Sequence, residues 1–444
     1  MLRRVFDGLR KPRHACHATD HAHQNSACGG PCARNVRKTH DVIAKRHEDC
    51  GNPTRVEVAT TTAANQTTHG AAAGRLRPLN DDINVKRIEA MKAFHCNRCD
   101  QRVFFENVLC ERCAALLGYV PELAEISAFE DAGDGQWRSL HPDVKGKLYR
   151  QCHNYAVENI CNWMLPADDP DTLCRSCRLT HTIPNLAEPN NRLYWYRLET
   201  AKRRLLYTLD ALGLAIESRQ ADPDNGLEFD FRENTGDGEA VMTGHDNGRI
   251  TLNVAEADDA HREQVRTDMR EPYRTLLGHF RHESGHYYFE KLVAGTHWLA
   301  PFRERFGDDQ TDYGEALDAY YRNGAPADWE NSYISAYATM HPWEDWAETW
   351  AHYLMIVDVL DTSTAYGLAL LPPAPNEPSL TDQTPVEEAS FDNLIKRWFP
   401  LTDALNSLNR SLGMPDGYPF TLAPPVVDKL RFVHRVIAQA SARK

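Results

Sequence analysis

Two CxxC knuckles separated by ten residues, Cys96-Asn-Arg-Cys99 and Cys110-Glu-Arg-Cys113, constrain this chain more than any other feature. Each knuckle turns the backbone so that two thiolates point at one centre, and two knuckles together complete a closed tetrahedral zinc shell. Metal binding then supplies folding free energy that a short segment with little apolar sequence lacks. A second set, Cys152, Cys161, Cys174 and Cys177, holds a single knuckle, Cys174-Arg-Ser-Cys177, and reads as a second structural four-cysteine site, with His153 as a substitute ligand. A closed four-ligand shell has no position for a substrate or a water, so neither module is expected to be catalytic.

These eight of the twelve cysteines need reduced thiolates to bind metal, which favours a reducing, cytoplasmic setting over a disulfide framework. The first twenty residues carry basic side chains without an apolar core or a small-residue cleavage site, and no apolar run is long enough to cross a bilayer. No membrane association is therefore expected. A net charge of -13 and an isoelectric point near 5.9 argue against a nucleic-acid partner, because a polyanion would be repelled, and leave a peptide, a protein or a small molecule as substrate.

Composition divides the chain. Residues 1–90 are rich in His, Thr, Ala and Arg, poor in large apolar residues and without a usable period, so they read as a disordered stretch. Cys16, Cys28, Cys32 and Cys50 within it match no defensible metal spacing. Met91 stands just before the first knuckle, and the natural chain is expected to start there, with the preceding residues an upstream extension. Residues 91–190 form the zinc-ribbon region and 191–444 a catalytic domain. In the latter, apolar spacing predicts helices over 191–217, 270–293 and 343–359, strands over 227–231 and 249–254, and a Pro-rich loop over 371–385 before C-terminal helices. The order of elements is that of an α+β fold.

The chemistry concentrates in His282-Glu283-Ser284-Gly285-His286, an HExxH. On a helix, residues four apart share a face, so both imidazoles can reach one zinc while Glu283 points toward the water that zinc polarises. LLGHF before and YYF after make the segment apolar, and in a buried helix a Glu and two histidines need a reason. A catalytic zinc also needs a third protein ligand and an open fourth position. Glu344 and Glu348 are four apart in an aromatic-rich helical stretch, which suits one as ligand and the other as acceptor for a ligand imidazole N–H; His352 is an alternative third ligand.

The stretch SAYATMHPWEDWAETWAHY at 335–353, together with GHFRHESGHYYFEKL and the paired cysteine modules, resembles the bacterial zinc-binding metallopeptidase family that couples an N-terminal zinc ribbon to an HExxH domain. The resemblance runs from Met91 to the C-terminal helices. The core is also similar to the gluzincin arrangement of anthrax lethal factor, in which HExxH is followed by a Tyr seven residues before an ExxxE helix. The resemblance implies a zincin-like α+β metallopeptidase domain behind zinc-ribbon modules, with one catalytic and one or two structural zincs. It makes Glu344 the third ligand, Glu348 the partner of a ligand imidazole and Tyr337 a phenol donor to the developing oxyanion. General chemistry also calls for such a donor, since charge accumulates on the tetrahedral intermediate. The strand at 249–254 is expected to offer a free edge to an extended peptide. The competing expectation is a ribbon-based binding or scaffold protein whose zincin-like core is inactive.

Overall fold

The computed structural model describes residues 93–442 apart from 235–240, 269–270, 272 and 373. The expectations for residues 1–90 and for a start at Met91 lie outside the described residues.

The first knuckle, Cys96–Cys99, sits in the turn of a short hairpin, β1 (Phe94–His95) and β2 (Arg102–Val103), paired antiparallel, and the second, Cys110–Cys113, follows β2. Next comes an antiparallel five-stranded sheet in sequence order: β3 (Leu116–Val120), β4 (Glu125–Gly133), β5 (Gln136–Ser139), β6 (Leu148–Gln151) and β7 (Met164–Pro166). It curls until its ends meet, with the Tyr119 amide donating to the Asn162 carbonyl at 2.8 Å. Leu117, Tyr119, Phe129, Tyr149 and Trp163 are buried in it. The cysteine region is thus not too small for a core. Most of its strands are short, and the nine-residue β4 buries four residues in a row instead of alternating, so only pairing reveals their shared face.

The short helices α1 (His153–Ala156) and α2 (Arg175–Arg178) carry or flank the second cysteine set. Strand β8 (Thr180–Thr182) then pairs parallel with β9 (Glu228–Arg232), so the chain enters the second sheet before the long helix α3 (Asn191–Ala211) begins. That helix ends six residues short of the expected 217, where Gly213 at a φ of +66° turns the chain out of helical geometry. The sheet is completed by β10 (Gly244–Asp246) and β11 (Arg249–Asn253) in the order β10-β11-β9-β8.

The expected free edge at 249–254 is not one: β11 lies between β9 and β10. Asn247 and Gly248, at φ of +48° and +84°, form the two-residue turn that a tight hairpin prefers, and it folds 244–246 back over that edge. The edge on that side is the three-residue β10, with β8 at the opposite edge.

Helix α4 (Asp259–Asp268) precedes α5 (Leu276–Tyr288), which continues as a π-helical turn over Phe289–Val293. The expected helix from 270 starts instead at Leu276, where the Thr275 hydroxyl caps it by accepting the Gly278 amide at 3.0 Å. Two shorter helices, α6 (Leu299–Phe306) and α7 (Tyr313–Asn323), lead to α8 (Pro342–Ala365), and α9 (Phe391–Ser411) and α10 (Pro424–Ser441) close the domain. α8 begins with Pro342 in its first turn and the His341 ring as N-cap, which fixes where Glu344 falls. One continuous apolar core joins the ribbon region to the helical domain, and among the described residues no helix is long and apolar enough to cross a membrane.

Candidate metal centre and its cleft

α5 lies on the second sheet, with Phe280 against Phe229 and Phe231, and crosses α8 at very short range. Glycine makes this possible: a Cβ at Gly285 would stand 2.9 Å from the Ala347 Cα and 3.2 Å from the Trp350 ring. Trp346 donates to the Gly285 carbonyl at 2.8 Å and Trp350 to the Ser284 hydroxyl at 3.1 Å. These tryptophans are fully buried and serve packing, as their aromatic setting suggests. On the far side Arg281 pairs with Asp358 of α8, whose other oxygen accepts from Thr208 of α3 at 2.8 Å.

The crossing brings three donors together. His282 Nε2 lies 3.2 Å from His286 Nε2 and 2.9 Å from Glu344 Oε2, and His286 Nε2 lies 3.5 Å from Glu344 Oε1. Nitrogen and oxygen ligands of a tetrahedral zinc stand about 3.3 Å apart, given bond lengths near 2.0–2.1 Å. His282 Nδ1 lies 2.7 Å from Glu348 Oε1, and in the tautomer a metal ligand needs, with the proton on Nδ1, the Nε2 lone pair is turned toward His286 and Glu344. Electron-rich atoms converging in a buried place are stable only around a positive centre. Burial opposes a charge on His282, yet without an ion Glu344 and Glu348 outweigh it and raise His282 well above the ordinary imidazole range, so that a proton on Nε2 takes the place a metal would fill. Burial likewise works against ionised Glu344, but His286 and His282 hold it well below the usual carboxylate range. Two imidazoles, a carboxylate and an open side fit zinc.

Glu283 lies beside this cluster, buried, and its Oε2 has no hydrogen-bond partner among the described residues. Burial raises its pKa, the two histidines oppose the rise, and Glu344 and Glu348 add to it. Tyr337, on a 3-10 turn just before α8, has its ring centroid 6.1 Å from that of His282. His282, Glu283, Tyr337 and Glu348 all face a cavity of about 460 Å³.

Each remaining candidate takes a definite place. His352 is not among the converging donors; its Nδ1 instead hydrogen-bonds the Tyr418 hydroxyl at 3.0 Å. Cys96, Cys99, Cys110 and Cys113 form one cluster, with Sγ separations of 3.7 Å for Cys96–Cys113 and 3.6 Å for Cys99–Cys110. Cys152, Cys161, Cys174 and Cys177 form the other, with 3.7 Å between Cys161 and Cys174, while His153 is exposed and outside it. Thiolates on a tetrahedral zinc stand about 3.8 Å apart, whereas a disulfide brings the sulfurs to about 2.05 Å. Amides of Cys174 and Trp163 point at Cys152 and Cys161 sulfurs, at 3.2 and 3.4 Å, as befits anionic thiolates.

Tyr313 was not visible in the sequence. At the start of α7, its hydroxyl donates to Glu344 Oε1 at 3.0 Å and interacts with the Tyr337 phenol, so it steadies the candidate third ligand. Asp312 and Glu315 mark a helix start there, but no motif ties that helix to the metal centre. His279, one turn before His282 on α5, was also missed, although its spacing puts it on the same face.

Ribbon modules joined to a helical domain that gathers two histidines and a glutamate from HExxH and a following helix define a protein of the zinc-binding metallopeptidase class. The chain belongs to the family described as "Putative zinc-binding metallo-peptidase", which matches residues 191–436, and residues 93–188 match a zinc-ribbon domain. It is similar to uncharacterised proteins of Mycobacterium bovis and of two strains of Mycobacterium tuberculosis. Each is 44% identical over 352 residues, covering 79% of this chain and 96% of the relative. No solved structure matches, and the expected similarity to anthrax lethal factor is not shown.

Proposed function

We propose that this chain is a zinc-dependent peptidase of the HExxH type that cleaves peptide bonds with an activated water. The carrying observation is the convergence of His282, His286 and Glu344 beside a buried, partly unpartnered Glu283 at the wall of a cavity. A zinc held by these three residues would supply a Lewis acid and lower the pKa of a water. Glu283, its carboxylate made more basic by burial, takes the proton from that water and returns it to the leaving amine. Tyr337 faces the same cavity and donates to the oxyanion as charge develops on the carbonyl oxygen. Glu348 holds the tautomer and ring orientation of His282, and Tyr313 orients the Glu344 carboxylate. The two four-cysteine clusters suit structural zinc, which makes three zincs per chain in all.

Elemental analysis of wild type beside His286→Ala and Glu344→Ala tests the metal assignment. The expected stoichiometry is about three zincs, falling by one in each variant. A peptide-library digest, with Glu283→Gln as control, tests the reaction. Unchanged zinc in both variants would leave the ribbon-based binding protein as the better reading.

A further inference from the structure

The cavity beside Glu283 continues along α5 to a second charged cluster that the metal centre does not use. His279 lines it, with Glu256 from the 3-10 turn after β11, Glu271 and Arg274 from the approach to α5, and Tyr320 and Tyr321 from α7. Arg274 donates to Glu256 Oε1 at 2.6 Å and to Glu271 Oε2 at 2.7 Å, so one guanidinium faces two carboxylates. Glu256 is only 6% exposed, and its Oε2 has no hydrogen-bond partner among the described residues. His279 Nδ1 stands 3.7 Å from it, beyond hydrogen-bond reach, and is itself unpartnered. Burial pushes His279 down to about 4, so it adds no charge at neutral pH. Arg281 reaches the same cavity but is committed to Asp358.

Two carboxylates against one guanidinium leave this cluster with one net negative charge. A buried carboxylate oxygen short of a donor, in a net-negative cleft walled by phenol rings, stabilises an entering cation through charge-assisted hydrogen bonds and ring faces. His279 and His282 are three positions apart, about 4.5 Å along the helix axis. That exceeds the two-bond distance between a peptide's α-amino nitrogen and the carbonyl carbon of the same residue. It is within reach of the long side chains of Lys and Arg.

Resting on the peptidase reading above, we infer that this cluster is a specificity subsite for a basic residue flanking the scissile bond, its ammonium or guanidinium seated at Glu256 and Glu271. Binding is measured by fluorescence anisotropy with the full-length, zinc-loaded Glu283→Gln protein. The probes are labelled peptides that differ at one scanned position: Lys, Arg, norleucine or Glu, each with a free or an acetylated amino terminus. Lys and Arg peptides are expected to bind at least about tenfold more tightly than norleucine peptides at one position, acetylated or not. In Glu256→Gln and Glu271→Gln on the same background, that ratio should fall toward one, with circular dichroism confirming that each variant folds. Absence of cation preference, survival of the ratio in both folded variants, or a preference that vanishes on acetylation would overturn the subsite. Parallel digestion with wild type separates the two readings. Cleavage without basic preference removes the subsite and keeps the peptidase, whereas selective binding without cleavage does the reverse.

Discussion

The cysteine modules and the HExxH centre both gather metal-binding side chains, but from opposite kinds of surroundings. Each cysteine cluster supplies four like donors, and the second is fully buried, with Arg203 of α3, itself buried, close enough to Cys161, Cys174 and Cys177 to offset their charge. Every tetrahedral position is taken, so the site can only hold structure together. The HExxH centre supplies three donors of two kinds, leaves one side open, and sits at the wall of a cavity beside a carboxylate whose pKa burial has raised. The difference teaches that donor count and access, more than metal affinity, separate a staple from a reaction centre. Beside these donors the fold places buried Glu283 and the phenols of Tyr337 and Tyr313.

The largest effect that would sharpen this contrast is on folding. Cys174→Ser removes a ligand from a fully buried cluster, so zinc release and loss of cooperative unfolding are expected, at a cost of several kcal/mol. Thermal denaturation beside Glu344→Ala checks it, since the open site should lose its zinc while the protein stays folded. A cooperative transition in Cys174→Ser at the wild-type temperature would break the comparison.

A second prediction concerns chemistry alone. Glu283→Gln should retain all its zinc and lose peptidase turnover by about 10³-fold, because proton transfer is removed while the ligands stay. Retained turnover would place the base elsewhere. More modestly, Tyr313→Phe should cost about tenfold or more in zinc affinity or turnover by freeing the Glu344 carboxylate, read by chelator competition and by initial rates. Wild-type values for both would make Tyr313 a packing residue.

The smallest expected effect is on stability against pH. Burial pushes His352 down to about 4, below the ordinary 6.5, with Glu348 opposing the shift. The unfolded chain therefore binds its proton first, and stability falls as pH drops from 6.5 to about 4. Urea unfolding across that window should show a shallower slope for His352→Gln, by up to about 1.4 kcal/mol per pH unit, with zinc content unchanged. A lost zinc would restore His352 as a ligand.

What the sequence determined by itself was the set of donors, because their relations are local. A CxxC knuckle or an i, i+4 pair fixes which atoms can point together wherever the segment sits. Glu348 and His282 meet as the ExxxE helix suggested, since one rigid helix carries both glutamates. Tertiary structure alone decided the rest. Tyr313 reaches Glu344 only after α7 packs beside α8, and the 249–253 strand is enclosed only once β9, about twenty positions earlier, pairs on the side opposite β10. The cleft that sets Glu256 against Arg274 beside α5 is likewise a product of pairing between separate segments. Such contacts depend on chain crossings between residues far apart in sequence, and no local period records them.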